Sequence, residues 1–146
     1  MKKTILLLLV CLILPVSMVH AENKGGKGYF MKHMMHANPV PNYVAVIKKN
    51  SQALNMSTEQ MDQVMAWNKA NGPKMHDMVM SVIVGEKQLA EASMSGVSAE
   101  EILAMAEKVH KTRLDIIAGK TRCRDRMLKI LDDEQWTKLV AMVSTK

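Results

Sequence analysis

Apolar residues recur along this chain at spacings of three, four and seven, the stripe of an amphipathic helix, and no stretch carries the alternation of a strand. Three tracts show it. Val44, Ile47 and Leu54 mark a first helix from about Asn42 to Leu54. Met61, Val64 and Met65, then Met75, Met78, Val79, Val82, Ile83 and Leu89, mark a long second tract that begins at Thr58 and stops near Met94-Ser95-Gly96. Asn71-Gly72-Pro73 interrupts it, so either a new helix begins at Pro73 or one bent helix continues. The third tract runs from Ser98 to Leu131, with Ile102, Met105, Val109, Ile116, Cys123, Met127 and Ile130 on one side and Leu103, Leu114 and Ile117 beside them.

Punctuation agrees with the periodicity. Ser98 supplies a capping hydroxyl, and Glu100 and Glu101 follow where the positive helix end favours carboxylates. Gly96 is the expected C-cap of the tract before it. The link between the long tracts is so short that they must fold back as an antiparallel hairpin. A short last helix, about Asp133 to Val143, carries Trp136, Leu139, Val140 and Val143. The fold reading is all-α: a long antiparallel helical hairpin with a short helix near each end. Glu107 with Lys111 and Asp125 with Lys129 are i,i+4 pairs suited to a solvated face.

Two helix starts share one grammar. Met56-Ser57-Thr58-Glu59-Gln60-Met61 has an apolar residue, a capping hydroxyl, a glutamine three residues on and then another apolar residue. Leu131-Asp132-Asp133-Glu134-Gln135-Trp136 repeats it with Asp132 as the cap. Each is a capping box inside a hydrophobic staple.

Composition narrows the class. Lys2 and Lys3 precede an apolar run from Ile5 to Leu14, and Val19-His20-Ala21 offers a cleavage site, so residues 1–21 read as a secretory signal peptide. That run is too short to span a membrane, and no anchor is expected after it. Residues 22–41 form a flexible segment rich in methionine and histidine, and residues 42–146 form the helical domain. Removing Lys2 and Lys3 takes the formal charge from +6 to +4. Few aromatics, the absence of a nucleic-acid motif and export together argue against a nucleic-acid partner. Cys123, the one cysteine after the leader, has no internal partner in an oxidising compartment, and is therefore buried, metal-bound or paired with another chain. The chain has fifteen methionines, two of them (Met1 and Met18) in the leader. Such a core is adaptable, which suits helix filler, a binding surface or a soft-metal site.

The two glutamine motifs resemble variant copies of the Leu-Thr-x-x-Gln motif of the Spy/CpxP family of periplasmic proteins, to which zinc-resistance-associated proteins and CnrX-type metal sensors are related. Met56 and Ser57 stand for Leu and Thr in the first copy, and Asp132 for Thr in the second. The resemblance implies a curved, four-helix, cradle-like homodimer whose concave face holds unfolded or misfolded envelope proteins without ATP. In some members that face also restrains the periplasmic domain of a sensor kinase. Client contacts are then expected at Met61, Met65, Met75, Met78, Ile102 and Met105.

The alternative is a periplasmic sensor or buffer for copper, zinc or nickel. His33-Met34-Met35-His36, with Met31 nearby, places two imidazoles three residues apart among thioethers, donors that suit Cu(I), or Zn(II) and Ni(II) with a further carboxylate or thiolate. The competing reading is a tail in which these residues bind nothing. His76 with Met80 is a second candidate pair, against a reading as core filler. Cys123 with Met127 is a third, reachable by His33 or His36 if the N-terminal segment folds back. Cations around Cys123, among them Lys120, Arg122, Arg124 and Arg126, are expected to lower its pKa. In the hairpin it should lie level with Trp67 to Asn71. No phosphate loop, haem attachment or nucleophile–base pair points to an enzyme, and no cofactor is required.

Overall fold

Each helix begins at a residue whose side chain can close it. The computed structural model describes residues 39–144, and these form four helices with no strand. Helix α1 (Tyr43–Asn50) starts behind Asn42, whose side chain accepts from the Ala45 N–H at 3.2 Å. It is shorter than its apolar pattern predicts. The chain leaves the helix after Asn50 in a turn that closes from the Met56 N–H to the Ser51 carbonyl (3.0 Å), with Asn55 at φ +50°, a conformation asparagine tolerates better than most residues. Leu54 is still fully buried. It is a core residue on a turn, which periodicity extends into the helix by mistake.

Helix α2 (Thr58–Met94) runs for 37 residues and carries Pro73 inside it. One continuous helix is therefore the outcome at Asn71-Gly72-Pro73. A proline frees the carbonyl four residues earlier. Here that residue is Lys69, and both Lys69 and Pro73 are exposed, so water can satisfy the group. The helix ends in paired turns: Gly96 N–H donates to Ser93 (3.3 Å) and Val97 N–H to Ala92 (3.1 Å), with Gly96 at φ +71°. This Schellman closure needs a left-handed residue one place beyond the cap, which is the place of Gly96; Ser95 is the C-cap itself.

Helix α3 (Ala99–Ile130) follows after Ser98, and α4 (Asp133–Ser144) closes the described chain. Helices α2 and α3 pack along their lengths. Gln60 reaches Ile130, Arg126 reaches Gln63, Met75 lies at Gly119 and Val109 at Gly85, so paired positions run in opposite chain directions. Arg113 and Glu86 form the ion pair between the two. Lys111 bonds Asp115 rather than Glu107, and Asp125 is held by Arg124 rather than Lys129.

Two separate apolar cores result. The larger takes Val44, Val46, Ile47 and Leu54 from α1 and its turn, Val64 from α2, Met127, Ile130 and Leu131 from the end of α3, and Leu139 from α4. The smaller consists of Val82, Val109 and Ile116, flanked by Met75, Met78, Val79 and Leu89. No helix among the described residues is long and apolar enough to cross a membrane.

Candidate functional site

The two glutamine motifs meet. Ser57 Oγ accepts from Gln60 N–H (3.2 Å) while Gln60 Oε1 accepts from Ser57 N–H (3.0 Å). Asp132 and Gln135 form the same box at 2.8 and 3.1 Å. The two amides then bond each other: Gln60 Nε2 donates to Gln135 Oε1 at 2.7 Å, and Gln135 Nε2 donates to Gln60 Oε1 at 3.0 Å. The second donor of each amide goes to a carbonyl across the junction, Gln60 to Ile130 (2.9 Å) and Gln135 to Asn55 (3.2 Å). Two donors and two acceptors on each side chain are thus used, which is what a buried amide requires. Gln135 is only 7% exposed. Around this bridge the staple residues Met56, Met61 and Trp136 pack on the larger core, where Leu131 is buried, and Tyr43 stacks on Trp136 at 5.3 Å.

Away from that junction the long helices leave large apolar side chains in water. Leu103, Leu114 and Leu128 are 65%, 66% and 45% exposed. At about 100° per residue they fall within about 40° of one another on α3. Leu103 and Leu114 are expected from the sequence beside the inward stripe, but Leu114 stands about 200° round the helix from the buried Ile116. Met65, Met80, Val84 and Met94 are exposed on α2. A shallow groove of about 300 Å³ runs between the helices, lined by Val84, Gly85, Met105, Lys108 and Val109 among others.

Of the residues expected to touch clients, Met65 is exposed, while Met61, Met75, Met78, Ile102 and Met105 are half-buried. Met61 packs on the larger core, and Met75 and Met78 on the smaller. Met31, His33, Met34, Met35 and His36 lie outside the described residues, as do the expected leader and most of the flexible segment. His76 and Met80 are both exposed on α2. Met127 is fully buried in the larger core. No group of three or more His, Cys, Asp or Glu side chains is placed to hold a metal among the described residues.

Cys123 is half-buried and lies level with Trp67, as its position along the helices predicts. Its acidity does not follow the sequence reading. Burial pushes the thiol pKa up, and the opposing effects of the Trp67 indole N–H, the Val44 backbone and Lys120 are smaller. Arg122 and Arg124, about 100° to either side on the helix, are exposed. Lys120 is itself pushed down by burial, and its Nζ donates to the Val40 carbonyl at 2.8 Å. That bond ties the incoming chain to α3, a contact that nothing local in the sequence announces.

No family model, no curated protein and no solved structure gives a significant match to this chain.

Proposed function

We propose that the protein is a periplasmic, ATP-independent chaperone or envelope-stress adaptor of the Spy/CpxP type, working as a homodimer with a cradle-like helical hairpin in each protomer. The observation that carries this reading is the row of exposed leucines on α3, with methionines exposed on α2, over a pair of helices whose own core is thin. Leu103, Leu114 and Leu128 are spaced along one side of the helix, with exposed Glu107 and His110 between the first two, and offer separate apolar points of contact to a partner. Methionine side chains adapt to many partner shapes, which suits unfolded clients of varied sequence. The exposed lysines Lys69, Lys87, Lys108 and Lys129 on the same helices would draw acidic segments toward it. The two interlocked capping boxes are consistent with the motif resemblance, and their role is structural: they hold the ends of the long helices in place.

The test is aggregation of a chemically denatured client, followed by light scattering without nucleotide, with the chain from Glu22 onward at a few-fold excess. Suppression that falls when Leu103→Ser and Leu114→Ser are combined is the expected result. Failure of the unaltered chain to suppress aggregation of any of several clients removes the main support for the reading. Sedimentation equilibrium, read separately, tests the dimer.

A further inference from the structure

The two apolar cores do not join along the helix pair. No residue of α2 between Val64 and Val82, and none of α3 between Ile116 and Met127, is buried. Trp67 and Cys123 pack on the larger core at one edge of this gap, and Met75 and Ile116 belong to the smaller core at the other. Between those levels polar side chains take the inward positions. Asn68 and Asn71 stand within about 40° of the direction of Val64 and Val82 on α2, and Lys120 within about 40° of Ile116 on α3. Neither Asn71 nor Lys120 bonds across the seam. The Asn71 amide donates to the Trp67 carbonyl of its own helix at 3.0 Å, and Lys120 Nζ donates to the Val40 carbonyl. Among the described residues, no hydrogen bond or ion pair joins α2 to α3 between the Trp67–Cys123 level and the Glu86–Arg113 pair.

Both helices also carry their weakest residues at this level. Proline and glycine are the residues least suited to a helix interior, and α2 has Gly72-Pro73 there, with the Lys69 carbonyl left without its usual partner. Gly119 of α3 faces the same turn of α2, since the place of its missing Cβ lies 2.6 Å from Met75 Cε. Met75 is two residues beyond Pro73, about 3 Å along the axis. Helices bend at such interruptions, and the unbranched methionine between them can follow a bend without losing its packing.

We infer that the hairpin hinges where Gly72-Pro73 of α2 faces Gly119 of α3, so that the part beyond moves as one arm against the rest. The arm is a body of its own: Val82, Val109 and Ile116 pack within it, and Arg113 pairs with Glu86. A hinge is a few residues that absorb the change of backbone angle between two packed bodies, and the gap between the cores supplies that arrangement. Leu103 and Leu114 ride on the arm, whereas Leu128 lies on the other side of the hinge. Bending therefore resets the direction of these leucines relative to one another and lets one surface fit partners of different curvature. That use rests on the chaperone reading; the hinge itself does not.

The experiment is measurement of amide residual dipolar couplings in two alignment media, on the chain from Glu22 onward, with the two bodies fitted separately. Expected are alignment tensors of different magnitude for the two bodies, brought together when Pro73→Ala and Gly119→Ala are combined. Amide exchange should be fastest within the helix pair at residues 69–75 and 117–121, with better protected turns on both sides, and the double variant should slow exchange there about tenfold or more. A single tensor that fits the whole unaltered chain overturns the inference, as does protection that declines smoothly toward Gly96. Tensors that stay apart in the double variant overturn the placement of the hinge at these residues. If the double variant, its tensors merged, still protects every client that the unaltered chain protects, the hinge does not serve binding. Failure of the unaltered chain to protect any client bears on the chaperone reading alone.

Discussion

The two ends of the long helix pair are built on different principles. At the junction of the motifs, four helices and a turn close around Ile47, Leu54, Val64, Met127 and Leu139, all fully buried, and a pair of amides ties the layers together. At the other end only α2 and α3 meet, and their core is Val82, Val109 and Ile116. Local stability follows the number of buried apolar contacts. The first end is therefore the anchor, and the second is the part free to present apolar surface and to adapt.

The largest effect that could break this contrast comes from matched truncations. Met127→Ala at the anchor should cost about 2–5 kcal/mol, toward the upper end because elements on all sides prevent collapse, while Ile116→Ala should fall toward the lower end because a two-helix seam can close or admit water. Urea denaturation of both variants checks it, and equal losses would erase the distinction. The amide pair ranks next. Gln135→Ala leaves the Gln60 amide and the Asn55 carbonyl short of partners at a nearly dry site, a cost of about 1–3 kcal/mol. In a double-mutant cycle with Gln60→Ala the coupling should be about 0.5–3 kcal/mol. A coupling near zero would mean that the two boxes cap their own helices and nothing more.

Two glycines sharpen the comparison at smaller scale. A Cβ on Gly85 would meet Val109 Cγ2 at 2.6 Å, and one on Gly119 would meet Met75 Cε at 2.6 Å. The distances are equal but the neighbours are not. Val109 is β-branched and held in the smaller core, whereas a methionine methyl swings aside. Gly85→Ala should thus lose about 1 kcal/mol, since overpacking of about 1–3 kcal/mol exceeds the helix-propensity gain of about 1 kcal/mol. Gly119→Ala should be neutral or gain up to about 1 kcal/mol by propensity alone. Thermal melts of the two variants moving in the same direction would refute the distinction.

What the sequence made legible was local. Ser57, Ser98 and Asp132 cap their helices through groups three residues away, and such signals survive in a short window. The bond between Gln60 and Gln135 crosses 75 positions, so both motifs were visible without their union. Leu54 looked helical because burial, not helicity, sets where an apolar residue falls. Leu103 and Leu114 were misplaced although the helical angle alone puts them outward; an apolar residue near a stripe is easily counted into it. The hold of Lys120 on Val40 depends on how α1 enters, which no periodicity encodes. The expected metal ligands His33 and His36 precede the described residues, while Cys123 and Met127 lie within the helical body.

The smallest predicted effect concerns Cys123, at the edge of the anchor. Burial raises its pKa in the folded chain, so the folded state keeps the thiol proton at pH values where the unfolded state, near the ordinary thiol value of about 8.5, has lost it. Its contribution to stability is accordingly full below that range and is lost as pH rises through it toward the folded value. Lys120 works the other way. Burial lowers its pKa, so the cost of holding its charge is present at neutral pH and eases as pH rises through the lowered folded value. Only a comparison separates the two: the stability difference between the unaltered chain and Cys123→Ala should stay level up to the ordinary thiol value of about 8.5 and shrink as pH rises beyond it. Alkylation by iodoacetamide at pH 8 should also be slower than for an unhindered thiol, since both the thiolate fraction and the access are reduced. A thiol that alkylates as fast as a free one would place Cys123 outside the anchor's protected interior, and the boundary between the two regions would have to be drawn closer to Met127.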